Sequence, residues 1–393
     1  MDALTENLRR KLLDALRGAA VLWSRRTPVD EAALDRIRLM LILDRHRHYV
    51  ENIPVYRALA EEQGLAGGAD LRAIVDGMLL STDVFKSYDP RALLDVVALN
   101  RWIGEISTCR PPADARAADL DGWTAALAEH GIHVSRSSGT SGQPSFVPRD
   151  RETWAALCGN GQFYDTDPMA APFDCVALMP RGGASGLQAA ATGLARQAER
   201  AHFGGGPAAA AFLAESAGAG RRVLVFGPPF AALALCRHVL DAGPPVRLAA
   251  GSRVITGGGW KTATTVVGRA ELHAEIERAL GVAAVTDGYS MTELNCVISS
   301  CREGRYHVPP LVQPVLLDPA LEWIPEAETT GLLGFLDPFA ASYPGFLVTG
   351  DEGHLTRAPC PCGLGGWSVR GEITRAPAYE PKSCAGTLAA VTA

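Results

Sequence analysis

Residues 269–293, with the sequence RAELHAEIERALGVAAVTDGYSMTE, decide the fold class. Arg269–Leu280 is typical of a helix, and the short apolar run at 282–285 that follows it is typical of a strand. Similar apolar runs bounded by glycine or proline recur upstream, at 175–179, 223–226 and 254–255, and alternate with helical stretches. This alternation predicts an α/β layered fold with largely parallel strand pairing. Ligands of such folds bind at the carboxyl ends of the strands.

The strongest motif is a loop rich in glycine and hydroxyl groups, Ser137-Ser138-Gly139-Thr140-Ser141-Gly142. Its glycines allow the backbone to approach a polyphosphate, and its successive N–H groups can form an anion nest. It is not the P-loop of nucleoside triphosphatases, because no lysine follows Gly142. A flexible Ser/Gly linker has the same composition, so the loop alone leaves both interpretations open.

Two further motifs have side chains that suit a nucleotide. In residues 287–293, Tyr289 can stack on a purine, Thr292 can donate to a phosphate, and Glu293 can hold Mg²⁺. The alternative there is a helix start, with Thr292 as its cap and Tyr289 in the core. In Thr349-Gly350-Asp351, the carboxylate suits the paired hydroxyls of a ribose, and the alternative is a hairpin turn.

Taken in this order, the three motifs resemble those of the adenylate-forming superfamily of acyl-CoA synthetases. Within it the chain is similar to the branch of phenylacetate–CoA ligases, the acyl-protein synthetase of bacterial luminescence and adenylating proteins of phenazine antibiotic pathways. Supporting stretches are GGGWK at 257–261, GRYHVPP at 304–310 and CPCG at 360–363. The resemblance implies the large α/β domain of these enzymes, with a truncated C-terminal domain.

The resemblance also implies a role for each matching residue. The loop from Ser137 to Gly142 would hold the phosphates of ATP, Tyr289 would stack on adenine, and Asp351 would bind the ribose. Thr292 would contact the α-phosphate and Glu293 would bind Mg²⁺. The loop Gly257-Gly258-Gly259, with Trp260, would border the adenine and acyl pockets. One departure is Ser145, which stands where the family commonly has lysine.

The implied reaction is attack of a carboxylate on ATP to give acyl-AMP, followed by transfer to a thiol or amine. We expect an aromatic acid of secondary metabolism, from the likeness to the phenazine branch. One alternative is a fatty acyl group loaded on Cys384, which resembles the acceptor cysteine of the luminescence synthetase, and passed to a partner protein. The residues also permit Cys384 to be an inert thiol in the tail, and the protein to be a nucleotide-binding scaffold without turnover.

Three domains are expected: a helical collar at 1–60, the adenylating core at 61–370 and a vestigial tail at 371–393. His46 and His48 are expected on a solvated helix face. A net charge of −6 argues against a nucleic-acid binder. We expect no export signal and no membrane span, because no apolar run reaches the roughly 20 residues required. With nine cysteines and no export signal, we expect reduced thiols and a cytoplasmic protein.

The cysteines also suggest a metal. Cys360 and Cys362 are close enough in sequence to bind one ion, and Cys301 with His307 belongs to another segment, which we expect the fold of the resembled family to bring close. Three cysteines and one histidine form an acceptable tetrahedral set for a structural Zn²⁺. The alternative is unliganded thiols near a glycine turn.

Overall fold

The structure is a computed structural model that describes residues 4–112, 117–137, 143–160, 172–182, 185–260, 266–283, 285–326 and 328–376, with only the backbone of Ala189. The helices within these ranges are α1 Glu6–Ser24, α2 Glu31–Asn52, α3 Pro54–Glu62, α4 Leu71–Gly77, α5 Val96–Ile106, α6 Leu120–Glu129, α7 Arg151–Asn160, α8 Gly186–Gln197, α9 Gly206–Gly218, α10 Pro229–Ala242 and α11 Arg269–Leu280. Two 3₁₀ helices lie at Thr82–Lys86 and Pro90–Leu94.

The strands are β1 Leu80–Ser81, β2 His133–Arg136, β3 Phe146–Arg149, β4 Asp174–Ala177, β5 Arg200–Phe203, β6 Val223–Gly227, β7 Arg253–Gly257, β8 Val285–Tyr289, β9 Ile298–Ser300, β10 Tyr306–His307, β11 Gln313–Leu317, β12 Trp323–Ile324, β13 Thr329–Leu336, β14 Phe346–Thr356 and β15 Ser368–Arg375. One sheet has the order β12-β11-β13-β14-β15-β10-β9-β8-β7-β6-β4-β5, with β1 beside β14, and β2 and β3 form a separate hairpin. At one side of the sheet, the neighbouring strands β5, β4, β6, β7 and β8 pair in parallel. The strands on the other side, from β8 through β9, β10, β15, β14, β13 and β11 to β12, pair antiparallel. The predicted α/β class is confirmed.

The parallel half of the sheet is covered on both faces, which explains its continuous apolar strands. In β6, Val225 packs toward α10 and α11, whereas its neighbour Leu224 packs toward α8 on the opposite face. This alternation follows from the two-residue repeat of a strand. The carboxyl ends of these parallel strands are therefore the exposed edge at which a ligand can bind.

Around α11, the sequence prediction was partly right. The helix has the predicted bounds and ends at Gly281, whose φ of 69° is a left-handed conformation that glycine adopts without strain. The predicted strand at 282–285 was wrong, because β8 begins only at Val285 and continues to Tyr289. Val282 instead packs in the apolar cluster between α11 and the sheet.

The N-terminal helices are part of the core. Tyr49 and Tyr56 make edge contacts with each other and with Phe346 of β14, and all three are fully buried. His46 is also buried, with Nδ1 2.9 Å from the Tyr56 hydroxyl, so its placement on a solvated face was wrong. His48 is half-buried and bonds the carbonyl of Ala341 through Nε2 at 3.0 Å. The expected domain boundaries at 60 and 371 fall inside α3 and β15.

Within the described ranges, no helix has both the length and the apolar character that crossing a bilayer requires.

Candidate active site

The candidate site lies at the carboxyl ends of β7 and β8. Gly257, the last residue of β7, pairs with Gly288 of β8, and Gly258 and Gly259 follow with φ of 86° and 68°. A Cβ at Gly288 would approach Val297 Cγ1 to 3.1 Å and the carbonyl oxygen of Thr256 to 3.3 Å. The glycines therefore allow both a left-handed turn after β7 and close packing of β8 against its neighbours.

Tyr289 and Asp351 meet in space, although 62 positions separate them in sequence and three strands lie between β8 and β14 in the sheet. The Tyr289 hydroxyl donates a hydrogen bond of 2.8 Å to Oδ2 of Asp351. The other carboxylate oxygen lies 3.2 Å from Nη1 of Arg375, and the backbone N–H of Asp351 bonds Thr349 Oγ1 at 3.1 Å. Burial and the nearby Asp351 charge raise the pKa of Tyr289, so the phenol remains a donor.

Ser137, the first residue of the glycine- and hydroxyl-rich motif, directly follows β2 and pairs with Ser145 at the base of that loop. The Ser137 N–H bonds the Ser145 carbonyl at 3.1 Å, and the Ser145 N–H bonds Ser137 Oγ at 2.9 Å. Gln143 anchors the same base by donating from Nε2 to the carbonyls of Lys86 and Tyr88, at 2.8 and 2.9 Å. The remaining predicted residues, Ser138, Gly139, Thr140, Ser141 and Gly142, lie outside the described residues.

Arg149 connects the hairpin to the segment that carries Thr292 and Glu293. Its side chain is fully buried and donates to Asn295 Oδ1 at 3.0 Å and to the Thr292 carbonyl at 2.6 Å. Further bonds reach Ser135 Oγ at 2.8 Å and the Tyr343 hydroxyl at 3.1 Å. Sequence reasoning missed this residue because an arginine between proline and aspartate has no signature of burial.

Glu293 is a buried carboxylate beside Ser145, at the base of the same loop. The residue is only 5% exposed, and burial raises the pKa of its side chain. Arg149, the Ser145 side chain and Lys86 act in the opposite direction. Lys86, from the first 3₁₀ helix, thus brings a positive charge near the position where Ser145 departs from the family lysine.

A narrow apolar pocket opens beside Gly257 and Gly288. Its wall includes Leu157, Leu187, Phe226, Ile255, Met291 and Leu294. The predicted substrate residue Trp260 packs instead against the cluster of α9, α10 and α11, and is not among the residues that line this pocket. The placement of Trp260 therefore gives no support to a contact with substrate.

A charged network lies beneath the pocket and was also missed. Asp287 of β8 accepts a hydrogen bond of 2.5 Å from Thr256 Oγ1, and its other oxygen lies 2.5 Å from Arg269 Nε and 3.2 Å from His273 Nε2. Burial alone would raise the pKa of Asp287, but the bonds from His273 and Thr256 and the charge of Arg269 hold it below the usual value. The network fixes β8 against β7 and α11.

The four candidate metal ligands also come together. Cys301, His307, Cys360 and Cys362 are all buried, and their ligand atoms lie within 4.8 Å of one another. They lie at the opposite end of β14 and β15 from Asp351. Cys384 lies outside the described residues.

Solved structures with the same architecture include two of 2-hydroxyisobutyryl-CoA ligase. The open form, in complex with 2-HIB-AMP and CoA, superimposes with a TM-score of 0.63 over 89% of this chain and 77% of its own, at 18% identity. The chain has the fold of the adenylate-forming ligases. A second structure of the same ligase, in its postadenylation state, covers 90% of this chain and 70% of its own with a TM-score of 0.63.

Relatives by sequence match only part of this chain. Residues 211–392 match the family described as "Acyl-protein synthetase, LuxE". The long-chain-fatty-acid–luciferin-component ligase of Aliivibrio fischeri is 30% identical over 176 residues, which are 43% of this chain and 46% of the relative. The ligase of the same name from Vibrio harveyi is 31% identical over 139 residues, 34% of this chain and 36% of the relative. The chain thus spans less than half the length of these curated relatives. The predicted resemblance is confirmed.

Proposed function

We propose that this protein uses ATP to activate a hydrophobic carboxylic acid as an acyl-AMP, and that the acyl group is then transferred to a thiol or amine. The observation that carries the proposal is the contact between Tyr289 and Asp351 beside an apolar pocket at the carboxyl ends of β7 and β8. Polar groups for a nucleotide and apolar space for an acid therefore adjoin, as an adenylation reaction requires.

The described residues suit the parts of ATP in the following way. Asp351 accepts the ribose hydroxyls, with Tyr289 and Arg375 holding its carboxylate in place. The ring of Tyr289 borders the base, and the loop that starts at Ser137 supplies N–H groups to the phosphates. Thr292, whose carbonyl is fixed by Arg149, presents its hydroxyl toward the α-phosphate.

Glu293 fits a ligand of Mg²⁺. Its carboxylate is buried and its pKa is raised by that burial, so a bound cation would favour its charged form. When bound, Mg²⁺ neutralises charge on the pyrophosphate that leaves.

In the reaction, a carboxylate oxygen of the acid attacks the α-phosphorus. The new bond joins this oxygen to phosphorus, and the bond to the bridging oxygen breaks, so pyrophosphate leaves with both electrons. The residues around the site hold the two reactants in place and offset negative charge. Arg149 and Lys86 supply positive charge for this near Glu293.

The proposal includes two candidate classes of acid, aromatic and fatty, and two candidate acceptors of the acyl group. The apolar lining of the pocket suits an aromatic ring and a fatty chain alike, and the names of the curated relatives favour a long-chain fatty acid. The match to an acyl-protein synthetase family also favours the second candidate, an acyl group loaded on Cys384 and passed to a partner protein. A thiolate on the same chain would replace a free thiol by its high effective concentration.

The test is acid-dependent exchange of labelled pyrophosphate into ATP, screened with aryl and fatty acids of increasing length. We expect exchange that is strongest with one hydrophobic class and absent without acid or Mg²⁺. If the protein binds ATP but no acid supports exchange, the proposed enzyme activity is wrong and the protein is a nucleotide-binding scaffold.

Cys384→Ser separates the two acceptors. If Cys384 carries the acyl group, labelled acid remains covalently bound to the wild type and is lost from the variant, while pyrophosphate exchange is unchanged. The half-buried Cys158→Ser is the matched control and keeps the label. Equal labelling of wild type and Cys384→Ser would exclude the acyl-cysteine.

A further inference from the structure

The end of the sheet away from the candidate active site has a closed cluster of four donor groups. Cys301 follows β9, His307 lies in β10, and Cys360 and Cys362 lie in the connection between β14 and β15. None of the four is more than 7% exposed. Cys301, Cys360 and Cys362 are free thiols, so the cluster contains no disulfide.

All four donor atoms lie within 4.8 Å of one another, and two of the distances between them are close to those of a tetrahedral zinc site. With Zn–S of about 2.3 Å and Zn–N of about 2.0–2.1 Å, tetrahedral angles separate two sulfurs by about 3.8 Å and a sulfur from a nitrogen by about 3.6 Å. Cys301 Sγ lies 3.7 Å from Cys360 Sγ, and Cys362 Sγ lies 3.3 Å from His307 Nε2. We propose that these four residues bind one Zn²⁺ as a structural site that joins the two turns of the sheet to the N-terminal helices.

Both turns have the same backbone geometry around the sulfurs. The N–H of Gly304 bonds the Cys301 carbonyl, and the N–H of Gly363 bonds the Cys360 carbonyl, both at 2.9 Å. Each glycine has a positive φ, 74° and 88°, that other residues rarely adopt. Each cysteine is therefore presented from a tight turn that glycine makes possible.

The surroundings offset the charge of such a site. Three thiolates, a neutral imidazole and Zn²⁺ carry one net negative charge, and binding releases the three thiol protons. Arg26 donates from Nε to the Cys362 carbonyl at 2.8 Å, and Arg305 donates from Nη1 to the Ala358 carbonyl at 3.0 Å. The N–H of Leu364 points at Cys362 Sγ at 3.4 Å, a bond that a thiolate accepts more strongly than a thiol.

The connections of the cluster indicate a structural role. Trp23, near the end of α1, packs in the same buried cluster as Cys301, Cys360, Cys362 and Leu364, and its Nε1 donates to the Gly365 carbonyl at 2.9 Å. Asp351 is five residues from Thr356 along β14, or about 17 Å at the usual rise of a strand. All four tetrahedral positions are filled by protein, which leaves no open position for a substrate. The ion therefore stabilises the fold without touching the reaction.

A route for the ion exists from the surface. Arg26, Cys301 and Gly304 line one wall of a cleft that continues along α11. An ion or a chelator can therefore reach the cluster by a small opening of the turn at 301–304.

The test is elemental analysis of the full chain, expressed with added zinc and purified without chelators. We expect about one zinc per chain in the wild type and less than a tenth of that in Cys362→Ser. The matched control is Cys236→Ala, a buried cysteine of α10 that is remote from the cluster in the fold and should retain full zinc. These readouts need no turnover, so their failure is distinct from failure of the proposed function.

A second measurement covers the case in which the serine variant does not fold. Wild-type protein reconstituted with Co²⁺ should show thiolate-to-cobalt charge transfer and the intense visible bands of a tetrahedral site. Removal of zinc from the wild type should lower its melting temperature, and added zinc should restore it. A wild type with under a tenth of a zinc per chain, stoichiometric iron in place of zinc, or weak octahedral cobalt bands would each overturn the assignment.

Discussion

At one end of β14 and β15, Asp351 pairs with Arg375, and the two side chains are 18% and 78% exposed. At the other end, Thr356 pairs with Ser368 next to the buried cluster of three cysteines and His307. The first end keeps polar groups open to solvent, as a ligand that must enter and leave requires. The second end encloses its donor groups, as a permanently bound ion requires. The same pair of strands thus supports the two proposed sites, which make opposite demands on access.

Of the changes proposed here, Asp351→Ala should have the largest effect on activity. Its effect on activity should arise only at the open end of β14 and β15. Loss of two hydrogen bonds to a charged acceptor, each of about 1.5–3 kcal/mol, predicts a decrease of roughly 100-fold or more in kcat/KM for pyrophosphate exchange. The neighbouring Glu352→Ala is the control and should remain near wild type. Zinc content should not change. Wild-type exchange by Asp351→Ala would remove the residue from the nucleotide site.

Arg149→Met tests whether the open end depends on a buried scaffold. The change leaves Asn295, Ser135 and the Thr292 carbonyl without their donor in a buried place, which should lower the free energy of unfolding by roughly 3 kcal/mol. Urea unfolding measures this loss. The exposed Arg151→Met should cost less than about 0.5 kcal/mol. Equal stability of the two variants would contradict the scaffold role.

Leu187→Ala tests whether the acid binds in the apolar pocket at the open end. Leu187 lines the apolar pocket, and its removal adds space for the tail of the acid. We expect the ratio of kcat/KM for a bulkier acid to that for a smaller one to rise roughly tenfold, the lower end of the effect of one methylene in an apolar pocket. Leu194→Ala on the same helix is the control, because Leu194 packs in the core and does not line the pocket. An unchanged ratio would place the acid elsewhere.

Asp287→Asn should have the smallest effect, one that depends on pH. The pKa of Asp287 is held below its ordinary value in the fold, so its contribution to stability is present above the unfolded pKa of about 3.9 and is lost as the pH falls through the folded pKa. The variant should be less stable by roughly 1 kcal/mol at pH 6. This difference should shrink below about pH 4. Urea unfolding of the wild type and the variant at pH 6 and below pH 4 measures the difference in stability. The same difference at both pH values would contradict the role of the Asp287 charge.

Motifs with a local cause were accessible from sequence. The helix Arg269–Leu280 and its end at Gly281 follow from composition and from the conformation that glycine allows. The four candidate metal ligands were also named from sequence, since two of them come from one short loop. The start of β8 was not, because Val282 is equally apolar whether it pairs in a strand or packs against a helix.

The sequence by itself determined the α/β class, the motifs to which we assign the nucleotide chemistry and the identity of the four candidate metal ligands. Only the tertiary structure decided that Arg149 and His46 are buried, that Trp260 faces the core, and that Tyr289 bonds Asp351. The physical reason is range. Turn and helix signals act over a few residues, whereas the burial of a polar group depends on partners that sheet pairing brings from distant parts of the chain.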